Sequence, residues 1–598
     1  MAGALIMAGK KTVKSVRIGK SISRDKPLLE HALKTRRLRE VMLFSAVCSI
    51  ILVAKAGWVQ IQQTSELKRF GELSYTETIT TAASRGKIYD RNDVVLASSL
   101  PARAITVDPQ LFVEATTEQR KALAEALDIK LSVLDRKVAR GGQRFAYLKR
   151  QVDVPLAERI LARKIPGVRA EPEFKRHYPE GPIAAHLVGF TDYDDNGQEG
   201  IELIDDAQLK GTDGLRHVFR NRLGRKMGDF RDDVEKVRDP VNGNDVHLSI
   251  DSRLQYQAFE AVRDAVQEHQ AKAGSVVVLD VETGEVLAMA NWPAYDPNNR
   301  QNLRFSDMRN RALIDSFEPG STIKPFTIAL GLELRAITPN TLIDTDDGKM
   351  TIGPDTIGDS HKVGTVTVTR ALVESSNVAA AKIALDLKPE QMWSFLSAVG
   401  FGQAPSLHFP GVIAGRMRPW RKWRPIEQAT MAYGHGMSVS LVQLAHAYMI
   451  FARDGDLPPL TLLRSDRRAE GQQIISSRTA HEVRDMLEQV VGPEGTGKQA
   501  RVIGFRVAGK TGTARKIEDG VYVKKYGSTF VGFAPASAPR VIVAALIDEP
   551  AGKKYYGGDV SAPLFSRVTG HALRQLRITP DAPVAEVEMP ISGSTELR

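Results

Sequence analysis

The sequence predicts an α+β protein held by one N-terminal transmembrane helix. Three observations carry that prediction. The run Val41 to Val59 is the only apolar stretch of membrane length in the 598 residues. β-rich segments lie at both ends of the region after Asp245, with helical patterns between them. Such an order implies a central antiparallel sheet, closed by distant segments and flanked by helices. Composition is that of folded domains, with 42% hydrophobic and 26% charged residues, so wholesale disorder is excluded. The length allows two to four domains.

Residues 1–40 hold eleven Lys/Arg against three acids, an excess of eight. Most of the net charge of +11 is therefore a basic tail rather than a nucleic-acid face of the folded body. The 19 residues 41–59 are close to the roughly 20 that cross a bilayer as a helix. Lys55 near the distal end can snorkel, and Trp58 suits the headgroup level. The basic excess before the run predicts a cytoplasmic N-terminus and a body outside the cytoplasm. A cleaved signal peptide fits less well, because the basic region is long and no small-x-small site follows. Cys48 is the only cysteine and lies in the run. The body can form no disulfide, no Cys-ligated metal site and no cysteine nucleophile.

Residues 60–84 read as a helix leaving the membrane. Ser84 to Ala97 reads as strand, turn, strand. Helical spacing covers 117–137 and 153–164, and Phe174 to Gly214 is rich in Pro, Gly and Asp. The loop Arg238 to Asn244 marks a boundary. The expected division is a tail (1–40), a span (41–59), an elongated mixed pedestal (60–240), a second domain (241–580) and a mobile end (581–598). In the second domain, Val246–Ile250 is predicted as a strand and Ser252–His269 as a helix. Ser275–Asp280 and Glu285–Ala290 read as a hairpin. Phe505–Ala508, Thr529–Ala534 and Val541–Asp548 read as strands, and Ala562–Arg577 as a helix.

Three boxes in this domain carry chemistry. Ser321-Thr322-Ile323-Lys324 follows Pro319-Gly320 and opens an apolar helix. Ser321 thus sits where amide groups and the helix dipole can stabilise an oxyanion, with Lys324 on the same face. A serine hydroxyl needs an adjacent base, and a lysine serves only if burial or a second cation lowers its pKa. Ser375-Ser376-Asn377 precedes another helix. Ser375 could relay a proton, and Asn377 offers an amide donor and acceptor to a peptide bond. Lys510-Thr511-Gly512-Thr513 follows a strand. Lys510 supplies positive charge, Thr511 a hydroxyl for a carboxylate, Gly512 close backbone approach, and Thr513 an amide for the oxyanion. Each box alone is commonplace. The ordered triple, at gaps of 54 and 135 residues, is the set of a serine acyl-transferase acting on D-alanyl peptides and β-lactams.

Around these boxes the chain resembles the class B penicillin-binding proteins, and among them the division-specific, FtsI-type peptidoglycan D,D-transpeptidases. The resemblance lies in Asn310 to Phe326, Tyr433-Gly434-His435-Gly436, Lys510 to Arg515, Phe533 to Ala536 and Tyr555 to Gly558. It continues in the pedestal, in Arg85 to Asn92 and Arg176-His177-Tyr178-Pro179. Asp93 departs from the pattern, which usually has Gly there. The resemblance implies that Ser321 attacks the penultimate D-Ala carbonyl of a pentapeptide stem. An amine of a neighbouring stem then takes the acyl group, and β-lactams acylate the same serine. It adds Arg515, Tyr555 and Tyr556 as substrate contacts, and a polytopic FtsW-type glycan polymerase and other divisome membrane proteins as partners. No metal and no cofactor is expected.

Other readings share the boxes. A β-lactamase or carboxypeptidase would pass the acyl group to water. A β-lactam sensor or divisome scaffold would stop at acylation. A bifunctional synthase would need glycosyltransferase motifs before residue 240, and none is present. Gly492 to Lys498 fits a phosphate loop but is followed by Gln499 instead of Ser/Thr, so it is read as an ordinary loop. Asp192 to Gly197 opens like a calcium loop, yet the twelfth position is Leu203, so a pedestal turn is the better reading.

Overall fold

The computed structural model describes residues 28–62, 76–140, 145–219, 235–301 and 303–583. The basic tail before Leu28 and the end after residue 583 lie outside them. The first element is α1 (Leu28–Gln62), whose part Thr35–Gln62 is long and apolar enough to cross a membrane. At about 1.5 Å per residue, those 28 residues extend about 42 Å, beyond a hydrocarbon core of about 30 Å. Its apolar side chains, among them Leu43, Phe44, Ile51 and Val53, are exposed. The helix expected over residues 60–84 is described only as far as Gln62, and β1 (Thr76–Thr81), within that range, is a strand. Residues 63–75 are outside the described part.

The pedestal sheet is built on β2 (Ile88–Tyr89) and the long β3 (Val95–Val107). Helices α2 (Thr117–Ala126) and α3 (Leu131–Arg140) replace the single predicted run, because the chain turns through Asp128 at φ 52°. Next come β4 (Ala146–Asp153), α4 (Val154–Ala162) and β5 (Val168–His177). β4 and β5 both pair antiparallel with β3. β6 (Val246–His247) pairs parallel with β2. The strand expected to open the second domain thus completes the pedestal sheet. Asp93 adopts φ 63° in the turn between β2 and β3, a left-handed conformation that Asp tolerates better than most residues.

Beneath β3, Arg85 and Arg176 share one carboxylate. Arg85 Nε lies 2.6 Å from Glu202 Oε2, and Arg176 Nε lies 2.7 Å from Oε1, all buried. Asp90 carries the pedestal into the second domain: its Oδ2 accepts hydrogen bonds from Ser252 N and Oγ, at 3.0 and 2.8 Å. These two bonds fix the first turn of α5 (Ser252–Glu268), the helix that opens the second domain.

The second domain has a five-stranded antiparallel sheet. Its strands are β7 (Ala273–Asp280), β8 (Val286–Trp292), β9 (Ala508–Glu518), β10 (Val521–Ala534) and β11 (Val541–Asp548), in the order β8-β7-β11-β10-β9. β7 and β11 lie side by side although some 260 residues separate them, as strands from both ends of a domain require. Alternation divides their side chains. Val276, Val278 and Val543 enter one core with Phe259 of α5 and Phe565 of α10 (Gly557–Gln575). Val277, Leu279 and Ala544 enter the other with Phe326 and Leu444. A strand buried on both faces reads as a continuous apolar run, which is why β7 and β11 were visible in the sequence. The strand read at 505–508 begins only at Ala508, so Lys510-Thr511-Gly512 lies within β9 rather than after it.

The segment after Pro580, expected to be mobile, is docked as far as it is described. Asp581 accepts hydrogen bonds from Arg506 N at 2.7 Å and Ser537 Oγ at 2.6 Å. Asp192, in the calcium-like turn, accepts from the amides of Asp194 and Asn196 at 2.9 Å, so its carboxylate closes the turn.

Candidate active site

Ser321 lies in a 3₁₀ turn, Gly320–Ile323, that leads into α6 (Lys324–Glu333). Pro325 in the first turn suits a helix start, where its missing N–H costs nothing. α6 is apolar on all sides and buried, with Phe326 in contact with the rings of Phe401, Tyr448 and Phe451. Tyr448 Oη also donates to Thr322 O at 2.8 Å. The turn that carries Ser321 therefore rests on a packed core.

Ser375 comes from the end of α7 (Val368–Val373), immediately before α8 (Asn377–Leu385). Its N–H donates to Leu372 O and that of Ser376 to Ala371 O, at 3.1 and 2.9 Å. The pattern is a Schellman motif, and Ser375 holds its left-handed position at φ 62°. Glycine is the usual occupant there; a serine signals that its side chain is needed. Asp359 secures the next two residues. It accepts from Ser376 Oγ at 2.7 Å, from Asn377 N, and from Val378 N at 3.1 Å. Asn377 Nδ2 donates to Gly358 O at 2.8 Å.

β9 is one of the two edge strands of the sheet. Gly512 lets it lie against the Ser321 turn, since a Cβ there would fall 2.8 Å from Pro319 O and 2.9 Å from Thr322 Cγ2. Gly434 does the same from the opposite side. It has φ 81°, and a Cβ would sit 2.2 Å from Gly320 O.

These elements bring the three boxes together. Lys324 and Lys510 are buried, at 1% and 0% exposure. Both direct their ammonium groups at one hydroxyl: Lys324 Nζ lies 3.1 Å and Lys510 Nζ 3.0 Å from Ser375 Oγ. Lys324 Nζ also donates to Ser375 O, and Lys510 Nζ to Thr511 Oγ1 at 3.3 Å. Burial, and next the charge of Lys510, hold the Lys324 pKa well below the ordinary lysine value, with Asp359 opposing. Burial lowers Lys510 to about 7. Two cations this close cannot both keep a proton cheaply, so a neutral lysine, which can act as a base, is available near neutral pH. Ser321 is half-exposed, and its hydroxyl has no hydrogen bond among the described residues. Lys324 gives its bonds to Ser375.

Ser321, Ser375, Asn377, Thr511, Thr513 and Tyr556 line one cleft of about 310 Å³. Thr513 Oγ1 accepts from Gly557 N at 2.9 Å, which fixes the start of α10 beside β9. Tyr555 stacks between Tyr526 and Tyr556 at ring separations of 4.2 and 4.5 Å, as a support for Tyr556. Arg515 does not line this cleft. It lines a larger one of about 690 Å³ beside Glu318. Several bordering residues carried no role in the sequence reading. Asp359 had no local signal. Thr496, Lys498 and Gln499 belong to the loop that resembled a phosphate site, and Thr511 Oγ1 donates to Thr496 Oγ1 at 3.2 Å. Among the described residues no cluster of His, Cys, Asp or Glu could hold a metal ion.

This arrangement is that of a penicillin-binding protein with two domains, and the comparisons agree. Residues 274–570 match the penicillin binding protein transpeptidase domain, and residues 80–248 the penicillin-binding protein dimerisation domain. The chain belongs to this family. It is 42% identical over 550 residues to the probable peptidoglycan D,D-transpeptidase PenA of Neisseria gonorrhoeae, covering 92% of this chain and 94% of that one. It is 37% identical over 551 residues to the peptidoglycan D,D-transpeptidase FtsI of Escherichia coli K12, covering 90% and 92%. The solved apo transpeptidase domain of Burkholderia pseudomallei penicillin-binding protein 3 is 47% identical, covers 56% of this chain and 98% of its own, and superposes with a TM-score of 0.52.

Proposed function

We propose that the protein is a membrane-anchored peptidoglycan D,D-transpeptidase that works through an acyl-enzyme on Ser321. The observation that carries this reading is the Ser375 hydroxyl held between two buried lysines, in one cleft with Ser321. Ser321 loses its proton toward Lys324 as its oxygen attacks the penultimate D-Ala carbonyl. The amides of Ser321 and Thr513, on adjacent segments, receive the oxyanion. Ser375, fed by Lys510, delivers a proton to the departing D-Ala nitrogen. An amine of a second stem then displaces Ser321 and completes the cross-link. Asn377 and the free edge of β9 hold the donor peptide, and Thr511 receives its carboxylate. Tyr556 acts at the rim with Tyr555 behind it, and Arg515 acts from the neighbouring cleft beside Glu318. β-Lactams follow the same acylation and stay on Ser321.

Likeness to FtsI supports a role in septal wall synthesis. The basic residues before α1 favour a cytoplasmic N-terminus, with both domains on the far side of the membrane. α1 is then the surface for a polytopic glycan polymerase and other divisome partners. Within this reading the tail, span, pedestal and transpeptidase domain keep their sequence divisions at residues 40, 59, 240 and 580. β6 is lent back to the pedestal.

The test is labelling of the full chain with a fluorescent penicillin, followed by transfer from a donor stem to an acceptor amine. Labelling is lost in Ser321→Ala, and the unlabelled wild type forms the amide. Labelling that survives Ser321→Ala sinks the nucleophile assignment. Acylation without transfer points to a sensor, and release to water alone to a hydrolase.

A further inference from the structure

The Ser321 cleft does not end at Tyr556. Gln499 and Asp559 line it and also line a second cleft of about 550 Å³, between α5 and the loop that leads into α10. The two side chains are bonded to each other, Gln499 Nε2 donating to Asp559 Oδ1 at 2.9 Å. This bonded pair therefore lies on the border that the two clefts share. The second cleft includes Lys553 and Lys554, both exposed and without an ion pair among the described residues. Arg567 there is already paired with Asp264, at 2.9 Å.

We propose that this second cleft binds the acceptor stem, an anionic peptide whose amine reaches Ser321 through the Gln499–Asp559 seam. The inference rests on the transpeptidase reading above. Its physical basis is the path of the leaving group. The acceptor nitrogen must approach the acyl carbonyl along the line that the D-Ala nitrogen vacated, because the same groups move the proton in both directions. The departing D-Ala lies toward Thr511 and Thr496, and Lys498, Gln499 and Asp559 continue that end of the cleft. An acceptor ammonium in the seam meets the Asp559 carboxylate. The stem behind it keeps at least its C-terminal carboxylate, which meets the unpaired Lys553 and Lys554. Once the amine has lost one proton to solvent, its nitrogen bonds to the acyl carbon and the bond from carbon to Ser321 Oγ breaks. The second amine proton passes through Ser375 to Ser321 Oγ.

The experiment uses the full chain in detergent, with a thioester donor and two acceptor peptides that differ only in a free or amidated C-terminus. For K553E/K554E the concentration of the free-acid acceptor at half-maximal transfer rises about tenfold, as reversal of two rim charges implies. It is unchanged for the amidated acceptor, as is the rate of β-lactam acylation, and K553R/K554R restores the wild-type value. Equal weakening for both acceptors, or no change for the free acid, overturns the proposal while leaving the transpeptidase reading intact. A wild-type enzyme that is acylated yet transfers to neither acceptor overturns both.

Discussion

Ser375 occupies a left-handed backbone position that costs a residue with a side chain about 1–2 kcal/mol. The expense is explained by what the hydroxyl does, which is to accept from Lys324 and Lys510 at once. Ser375→Gly should therefore melt no lower than the wild type, because the Schellman turn prefers glycine. Its acylation by a β-lactam should still fall about 10²–10⁴-fold, the range for a lost proton-transfer group; calorimetry and stopped-flow acylation check the two halves. The lysines give a second prediction. Lys510⁺ helps to depress Lys324, whereas Asp359 raises it. With Lys324 as the proposed base, the acid limb of the acylation–pH profile is expected to follow its neutral form. Lys510→Gln should shift that limb to higher pH and Asp359→Asn to lower pH. Shifts in one common direction would disprove the assignment of Lys324 as base.

Among the elements, the pedestal turns on Glu202. One buried carboxylate accepts from the Nε of both Arg85 and Arg176, and the buried Arg176 Nη2 has no hydrogen-bond partner among the described residues. Removing the charge leaves two buried guanidiniums short of compensation, which costs about 3–5 kcal/mol. Glu202→Gln should lose that much stability in chemical unfolding. A loss under 1 kcal/mol would mean that water reaches the pair. The Arg85 and Arg176 motifs were visible in the sequence, but their common partner was not, since it lies 117 and 26 residues away. β9 teaches the complementary lesson. Its box was read as a chemical motif, yet placed after a strand rather than within one. The run of small residues in Ala508-Gly509-Lys510-Thr511-Gly512 lacks strand propensity and is extended by its pairing with β10.

For the molecule as a whole, pH stability follows from histidines buried in neutral form. Burial lowers His186 to about 4, below an ordinary value near 6.5, with a carbonyl of Asp307 opposing. Between pH 6.5 and 4 the unfolded chain binds a proton there and the folded chain does not. Stability is therefore lost as pH falls through that window. His186→Gln should flatten the fall in melting temperature between pH 6.5 and 4, relative to the wild type. An unchanged slope would show that other groups control it.

The sequence by itself determined the N-terminal apolar helix of membrane length, the α+β class and the three boxes. Each is a contiguous pattern, and contiguous patterns report local chemistry and burial. The tertiary structure alone decided that β6 joins the pedestal and that Asp359 braces the Ser375 turn. It also placed Thr496 to Gln499, read as an ordinary loop, on the wall of the Ser321 cleft. These facts depend on groups tens to hundreds of residues apart meeting at hydrogen-bond distance. Only the packing of the sheet against its helices fixes such meetings, and no local pattern records them.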